Sequence, residues 1–179
     1  ASDLLPFFQI SGSVKGIAPT ELISLELKKL FQDFNLIMED GSWKHFEFQS
    51  KNEGLAGLKR FRTYEALTSY QHKVPITTYV LFSGNIKNPM TSFSEGINTY
   101  KVAPIIMKRY SADRLIRRLQ RKLKAKKELT KTDLVPLTLC LLMGGKMSLK
   151  DRVTESFHII HSASHIPNED RSHMEAVLY

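Results

Sequence analysis

An α/β fold is predicted for this chain from three observations. A pair of alternating strands flanks an Asp-Gly turn at Asp40-Gly41. A helical pattern over residues 53–73 runs into the β-branched stretch VPITTYVLFSG at 74–84. Further helical patterns then fill the chain after residue 108. Together they describe a mixed central sheet flanked by helices over residues 1–128, with a C-terminal helical extension over 129–179 packed on it.

The first two strands are read at 33–39 and 43–49. Phe34, Leu36 and Met38 alternate with Asp33, Asn35, Ile37 and Glu39, and beyond the turn Phe46 and Phe48 alternate with His45, Glu47 and Gln49. Hydrophobicity assigns the phenylalanines to the core face and the polar set to the other. A three-residue loop, Asp40-Gly41-Ser42, sets Asp33 opposite Gln49 and Asn35 opposite Glu47. A two-residue loop would put Asp33 and Glu47 on opposite faces. Cross-strand and diagonal neighbours lie about 4.5–8 Å apart, so two carboxylates with an amide oxygen beside them suit Mg²⁺ or Mn²⁺. The same alternation also serves a hairpin whose acids simply face solvent.

From IAPTELISLEL through QDFNLIMEDGSWKHFEFQS and into LKRFRTYEALTSYQHKVPITTYVLFSG, the chain resembles the transposase-associated, recombination-promoting branch of the PD-(D/E)XK nuclease superfamily. The resemblance rests on Asp33 at the start of a strand, the Glu47-Phe48-Gln49 triplet on the next, Arg62 and Tyr64 on a following helix, and YVLFSG at 79–84. More weakly, it continues through ELTKTDLVPLTLCLLM to MEAVLY. It implies a restriction-endonuclease-like sheet and a Mg²⁺- or Mn²⁺-dependent endonuclease cutting DNA, linked to recombination or mobile elements in a prokaryotic cell. Asp33 and Glu47 would hold the metal, and Gln49 would orient the water. Most of the superfamily has Lys where Gln49 stands, although Gln is usual in this branch. Lys51, Lys59, Arg60 and Arg62 are then candidates for supplying charge, and with Tyr64 they form the nucleic-acid contacts near the site. Cutting both strands would call for a homodimer. Related chains generally begin with a further helix carrying an acid; Glu21 and Glu26 are the candidates here. The start at ASDLLPFFQI and the end in MEAVLY read as a trimmed or incomplete copy. The rival expectation is a module that keeps the fold without catalysis and binds nucleic acid or a protein partner.

Composition agrees with this reading. At 179 residues and 42% hydrophobic, the chain can bury one sizeable core. No apolar run is long enough to span a membrane and no leader pattern is present, so a cytoplasmic location is expected. Its single cysteine, Cys140 in LTLCLLM, reads as packing. The net charge of +8 calls for an anionic partner. Much of the excess lies in KRYSADRLIRRLQRKLKAKK at 108–127. There Leu115, Leu119 and Leu123 form the packing stripe, and Arg114, Arg117, Arg118, Arg121 and Lys122 occupy the rest of the helix. Such a face neutralises phosphates in a salt-sensitive way, or is simply solvated. Ser111 is its expected cap, and Asp113 suits the positive end of its dipole.

The remaining elements follow from local signals. The segment LISLELKKL after Pro19-Thr20 reads as a strand or helix leading into the hairpin. Leu55, Leu58, Phe61, Leu67 and Tyr70 define one side of the helix at 53–73. NIKNPMTSFSEG at 85–96 reads as a loop, and residues 99–108 as a strand. Thr130 or Thr132 caps a helix at 133–143 that Gly144-Gly145 ends, and Ser148 starts another carrying His158 and His161, with His165 beyond. Gly144-Gly145-Lys146 lacks the spacing of a phosphate loop. No carboxylate or cysteine cluster accompanies the histidines in sequence, so packed or surface roles are expected over zinc.

Overall fold

The computed structural model describes residues 33–178, Phe34 by its backbone alone. LISLELKKL, Glu21, Glu26 and Tyr179 lie outside the described residues. Strands β1 (Phe34–Ile37) and β2 (Trp43–Gln49) form the expected hairpin. The loop is Glu39-Asp40-Gly41: Gly41 N–H donates to Met38 O (3.0 Å) and Met38 N–H to Ser42 O (2.8 Å). Asp40 Oδ1 accepts from the Ser42 amide (2.9 Å) and hydroxyl (2.6 Å). Gly41 takes φ +79°, which a three-residue hairpin loop demands of its last residue. That requirement moves the loop one position back from the expected Asp40-Gly41-Ser42. The register shifts with it: Phe34 pairs with Phe46 and Asn35 with His45, not Asn35 with Glu47.

Helix α1 (Gly54–His72) follows and returns the chain to β3 (Ile76–Phe82), parallel to β2. Lys73 ends the helix in the left-handed conformation at φ 54°, its N–H on Ser69 O at 2.8 Å. Of the predicted apolar side, Leu58 and Phe61 are buried, whereas Leu55, Leu67 and Tyr70 are exposed. The buried face instead runs through Gly57, Leu58, Phe61, Tyr64 and Thr68. Small and polar residues replace the expected leucines because this helix covers a polar patch of sheet.

β4 (Ser92–Glu95) and β5 (Asn98–Lys101) form a second, two-stranded sheet. The expected loop at 85–96 thus ends in a strand. The strand expected at 99–108 divides at Val102, whose N–H goes to Thr91 O (2.9 Å) and whose side chain is buried. Its second half, β6 (Ala103–Ile106), joins β3 in parallel, and among the described residues the mixed sheet has four strands in the order β1-β2-β3-β6. Pro104 sits opposite Val80 on this edge strand, where a residue without an N–H is tolerated.

A 3₁₀ turn at Met107–Arg109 leads to α2 (Ala112–Lys124), α3 (Lys131–Thr138), α4 (Leu149–His161) and α5 (Asn168–Leu178). Ser111, Thr130 and Ser148 cap α2, α3 and α4 through their hydroxyls, Thr130 in a reciprocal capping box with Asp133. The helix expected at 133–143 stops at Thr138, and Leu139–Met143 continues in tighter i→i+3 turns. The buried guanidinium of Arg152 draws the carbonyls of Cys140 (3.2 Å) and Met143 (2.8 Å) to itself. Gly144-Gly145 therefore does not end the helix. Gly144 bridges to Ser111, and a Cβ on it would meet Lys108 O at 2.5 Å.

Successive β3 residues face opposite ways, which explains the unbroken apolar run there. Val80 and Phe82 join Leu58, Phe61, Val102 and Ile106 in a cluster beneath α1. Leu81 joins Met107, Ile116, Leu119, Leu134, Leu137, Cys140, Ile159, Ile160 and Met174 in a larger cluster built from the last four helices. The described residues belong to one compact unit. Among the described residues no helix is long and apolar enough to cross a membrane.

Candidate functional site

The face of β2 under α1 carries the polar side chains, reversing the expected burial of the hairpin. His45 is fully buried, and Glu47 and Gln49 are 4% and 7% exposed. Phe46 stacks on Tyr79 on the other face (5.2 Å between ring centroids), and Phe48 is 44% exposed. Alternation grouped these residues correctly, but burial follows the partners that α1 and β3 bring. His45 Nε2 lies 2.8 Å from Glu47 Oε1, and Nδ1 lies 3.4 Å from Thr78 Oγ1. Thr78 donates its hydroxyl to Glu65 Oε2 (2.5 Å), which also accepts from the Tyr100 hydroxyl (3.2 Å). Burial above all, with the Glu65 charge adding, pushes the Tyr100 hydroxyl well above the ordinary phenol range. It therefore stays a donor. Tyr64 closes the network edge-on to His45, with centroids 6.2 Å apart. At 8% exposure it belongs to this interior, not to a surface that nucleic acid touches.

Asp33 comes just before β1 and is exposed. Continuing the register by one residue sets it across from Glu47, and its Oδ2 accepts the Phe48 amide at 2.6 Å. The carboxylate thereby takes the place of a ladder carbonyl at the strand end. Gln49, oriented so that its amide oxygen accepts, takes a hydrogen bond from Arg60 (3.0 Å) and donates to Lys51 O (3.3 Å). One oxygen each of Asp33 and Glu47 has no partner among the described residues. Carboxylate oxygens of this kind fit a Mg²⁺ that keeps several of its waters. No group of three or more His, Cys, Asp or Glu side chains gathers into a metal cluster among the described residues.

The basic residues divide sharply. Lys59 (2.6 Å) and Arg62 (3.7 Å) both reach Glu95, whose carboxyl the Lys59 hydrogen bond holds below its ordinary range. Arg60 pairs with Glu53 at 2.7 Å, and Lys51 is exposed just past β2. Arg114, Arg118 and Arg121 instead line a groove of about 620 Å³ together with Arg109 and Tyr110. None of these four arginines has an acidic partner among the described residues. Arg117 lies outside the groove, its Nε donating to Asp113 O (3.1 Å).

Sequence reasoning missed Arg109 and Tyr110, although KRY stands directly before the Ser111 cap. It also missed the acids that reach two histidines. His161 Nε2 lies 3.2 Å from Glu175 and His165 Nδ1 3.5 Å from Glu128. Neither pair gains a third ligand among the described residues. Cys140 is packed as expected, its thiol pushed up by burial and 3.3 Å from Ser156 Oγ.

Comparison with protein-family models, with curated proteins and with solved structures gives no match to this chain.

Proposed function

We propose that the chain is a metal-dependent endonuclease that hydrolyses DNA phosphodiester bonds, of the transposase-associated PD-(D/E)XK type. The observation that carries this reading is the hairpin register. It brings Asp33 to the position facing Glu47, one turn of the strand pleat from Gln49. An antiparallel hairpin followed by a helix and a parallel strand, in the order β1-β2-β3, agrees with such a core.

Asp33 and Glu47 would hold Mg²⁺ or Mn²⁺, which when bound polarises the phosphate and lowers the pKa of its water. His45 fixes the Glu47 carboxylate in one rotamer. Gln49 lacks the charge of the superfamily lysine, and the guanidinium that rests on its amide oxygen at 3.0 Å, Arg60, is itself paired with Glu53 at 2.7 Å. Gln49 then orients water, and Lys51, exposed just past β2, is the candidate that offsets phosphate charge. Recombination or mobile elements in a prokaryotic cytoplasm would be the setting, and a homodimer the form that cuts both strands.

A second reading, a nucleic-acid-binding module without catalysis, is favoured by the engagement of both acids, Asp33 by Phe48 N–H and Glu47 by His45. Supercoiled plasmid incubated with Mg²⁺, Mn²⁺ or EDTA separates the two. Nicking that requires metal and disappears in Asp33→Ala and Glu47→Ala is the expected result. An intact plasmid with salt-sensitive binding would establish the binding module.

A further inference from the structure

The arginine-lined groove is independent of the hairpin, and its construction identifies a ligand. Ala112, Ile116 and Leu119 turn one face of α2 into the core, which leaves Arg114, Arg118 and Arg121 along the outer face. They recur about one helical turn, ~5.4 Å, apart, a spacing of the same order as that between neighbouring phosphates of a strand. Arg109 joins them from the preceding turn. Lining one groove with four exposed guanidinium groups and no acid concentrates positive potential there and attracts an anion. The contrast with Arg60, paired with Glu53, and with Lys59 and Arg62, which share Glu95, makes the point sharper.

Phosphate alone does not account for the rest of the lining. Tyr110, 53% exposed, stands among the arginines, and Leu115, Pro136 and Met143 contribute apolar surface. The groove is open to solvent, and its volume leaves room for a planar group the size of a base. A duplex keeps its base faces stacked inside and would offer this groove backbone and base edges but no open face. A single strand offers both phosphate and an open base face.

We propose that the groove between the Arg109–Tyr110 turn, α2 and α3 is a single-strand nucleic-acid subsite, in which the arginines hold successive phosphates and Tyr110 stacks on a base. It deepens the reading above by naming the strand form, and it shares with that reading only the premise that the ligand is nucleic acid.

The test is fluorescence anisotropy of the full chain in EDTA, with a short labelled oligothymidylate, a duplex of equal length, and polyphosphate as competitor. The oligothymidylate is expected to bind more tightly than the duplex. Arg114→Ala and Arg118→Ala should each lower the slope of log affinity against log salt by about 0.7. Tyr110→Ala should weaken the single strand by about tenfold while leaving polyphosphate competition unchanged. These side chains are exposed or at the surface, and unchanged circular dichroism will show that the variants fold. Equal binding of duplex and single strand, or indifference to Tyr110 and the arginines, overturns the subsite. Since EDTA removes metal chemistry, failure of plasmid nicking counts against the nuclease reading alone. Nicking that persists while the groove variants have no effect on binding counts against the subsite alone.

Discussion

Glu47 and His45 lie side by side where neither is more than 4% exposed, so each is the other's main compensation for lost water. His45→Ala should destabilise the protein by about 1–3 kcal/mol in urea denaturation, since Glu47 and Thr78 lose a partner. The double variant His45→Leu with Glu47→Leu should restore stability to the wild-type level or above, because apolar replacements of buried polar pairs are often neutral or stabilising by about 1–4 kcal/mol. On the proposed nuclease reading it should abolish nicking at the same time. A double variant less stable than either single one would show that the pair contributes net stability. The residue scale is also where the sequence was hardest to read. Period-two alternation told that His45, Glu47 and Gln49 share a face with Asp33. Which face is buried depended on Tyr64, Thr78 and Arg60, all distant in sequence, so hydrophobicity alone chose the phenylalanines.

Helix α2 is anchored at its start by more than its cap. Asp113 accepts the amides of Lys146 (2.8 Å) and Met147 (3.2 Å), and these hydrogen bonds hold its carboxyl below the usual range. Asp133 is lowered as well, first by its hydrogen bond from Lys122. A depressed carboxylate means the unfolded chain binds more protons, so the stabilisation is complete above the unfolded aspartate value of about 3.9 and lost as pH falls through the folded one. Thermal melts between neutrality and strong acid should therefore show helix loss setting in below about pH 4, with a smaller acid dependence in Asp113→Asn. Gly144→Ala tests the same anchorage sterically. Its methyl would strike the Lys108 carbonyl, backbone that cannot swing aside, at a cost of about 1–3 kcal/mol in denaturant. Helix starts were legible because Ser111, Thr130 and Ser148 each carry their signal within four residues. Helix and strand ends were not: α3 stops at Thr138, ahead of the Cys140 and Met143 carbonyls that Arg152 takes, and the strand expected at 99–108 breaks where Val102 turns to Thr91.

At the scale of the molecule, the predicted mixed sheet flanked by helices is present, and the C-terminal helices complete its core. Leu81 and Met107 are buried against residues of α2 through α5. Deleting residues 129–179 would uncover them, so that truncated chain should fail to give a cooperative thermal transition. A folded, soluble 1–128 fragment would mark the helices as a separate domain. The charge balance was legible from sequence as a total of +8; its division into cations near α1 that meet acids and groove arginines that meet none among the described residues was not, because it depends on where Glu53 and Glu95 fall in space. Pro104 carries a last consequence. Among the described strands β6 is outermost, and a proline in so short a strand denies an incoming chain a regular row of amide donors. Two copies meeting along that margin would find an interrupted ladder, which disfavours fibrous, edge-to-edge growth.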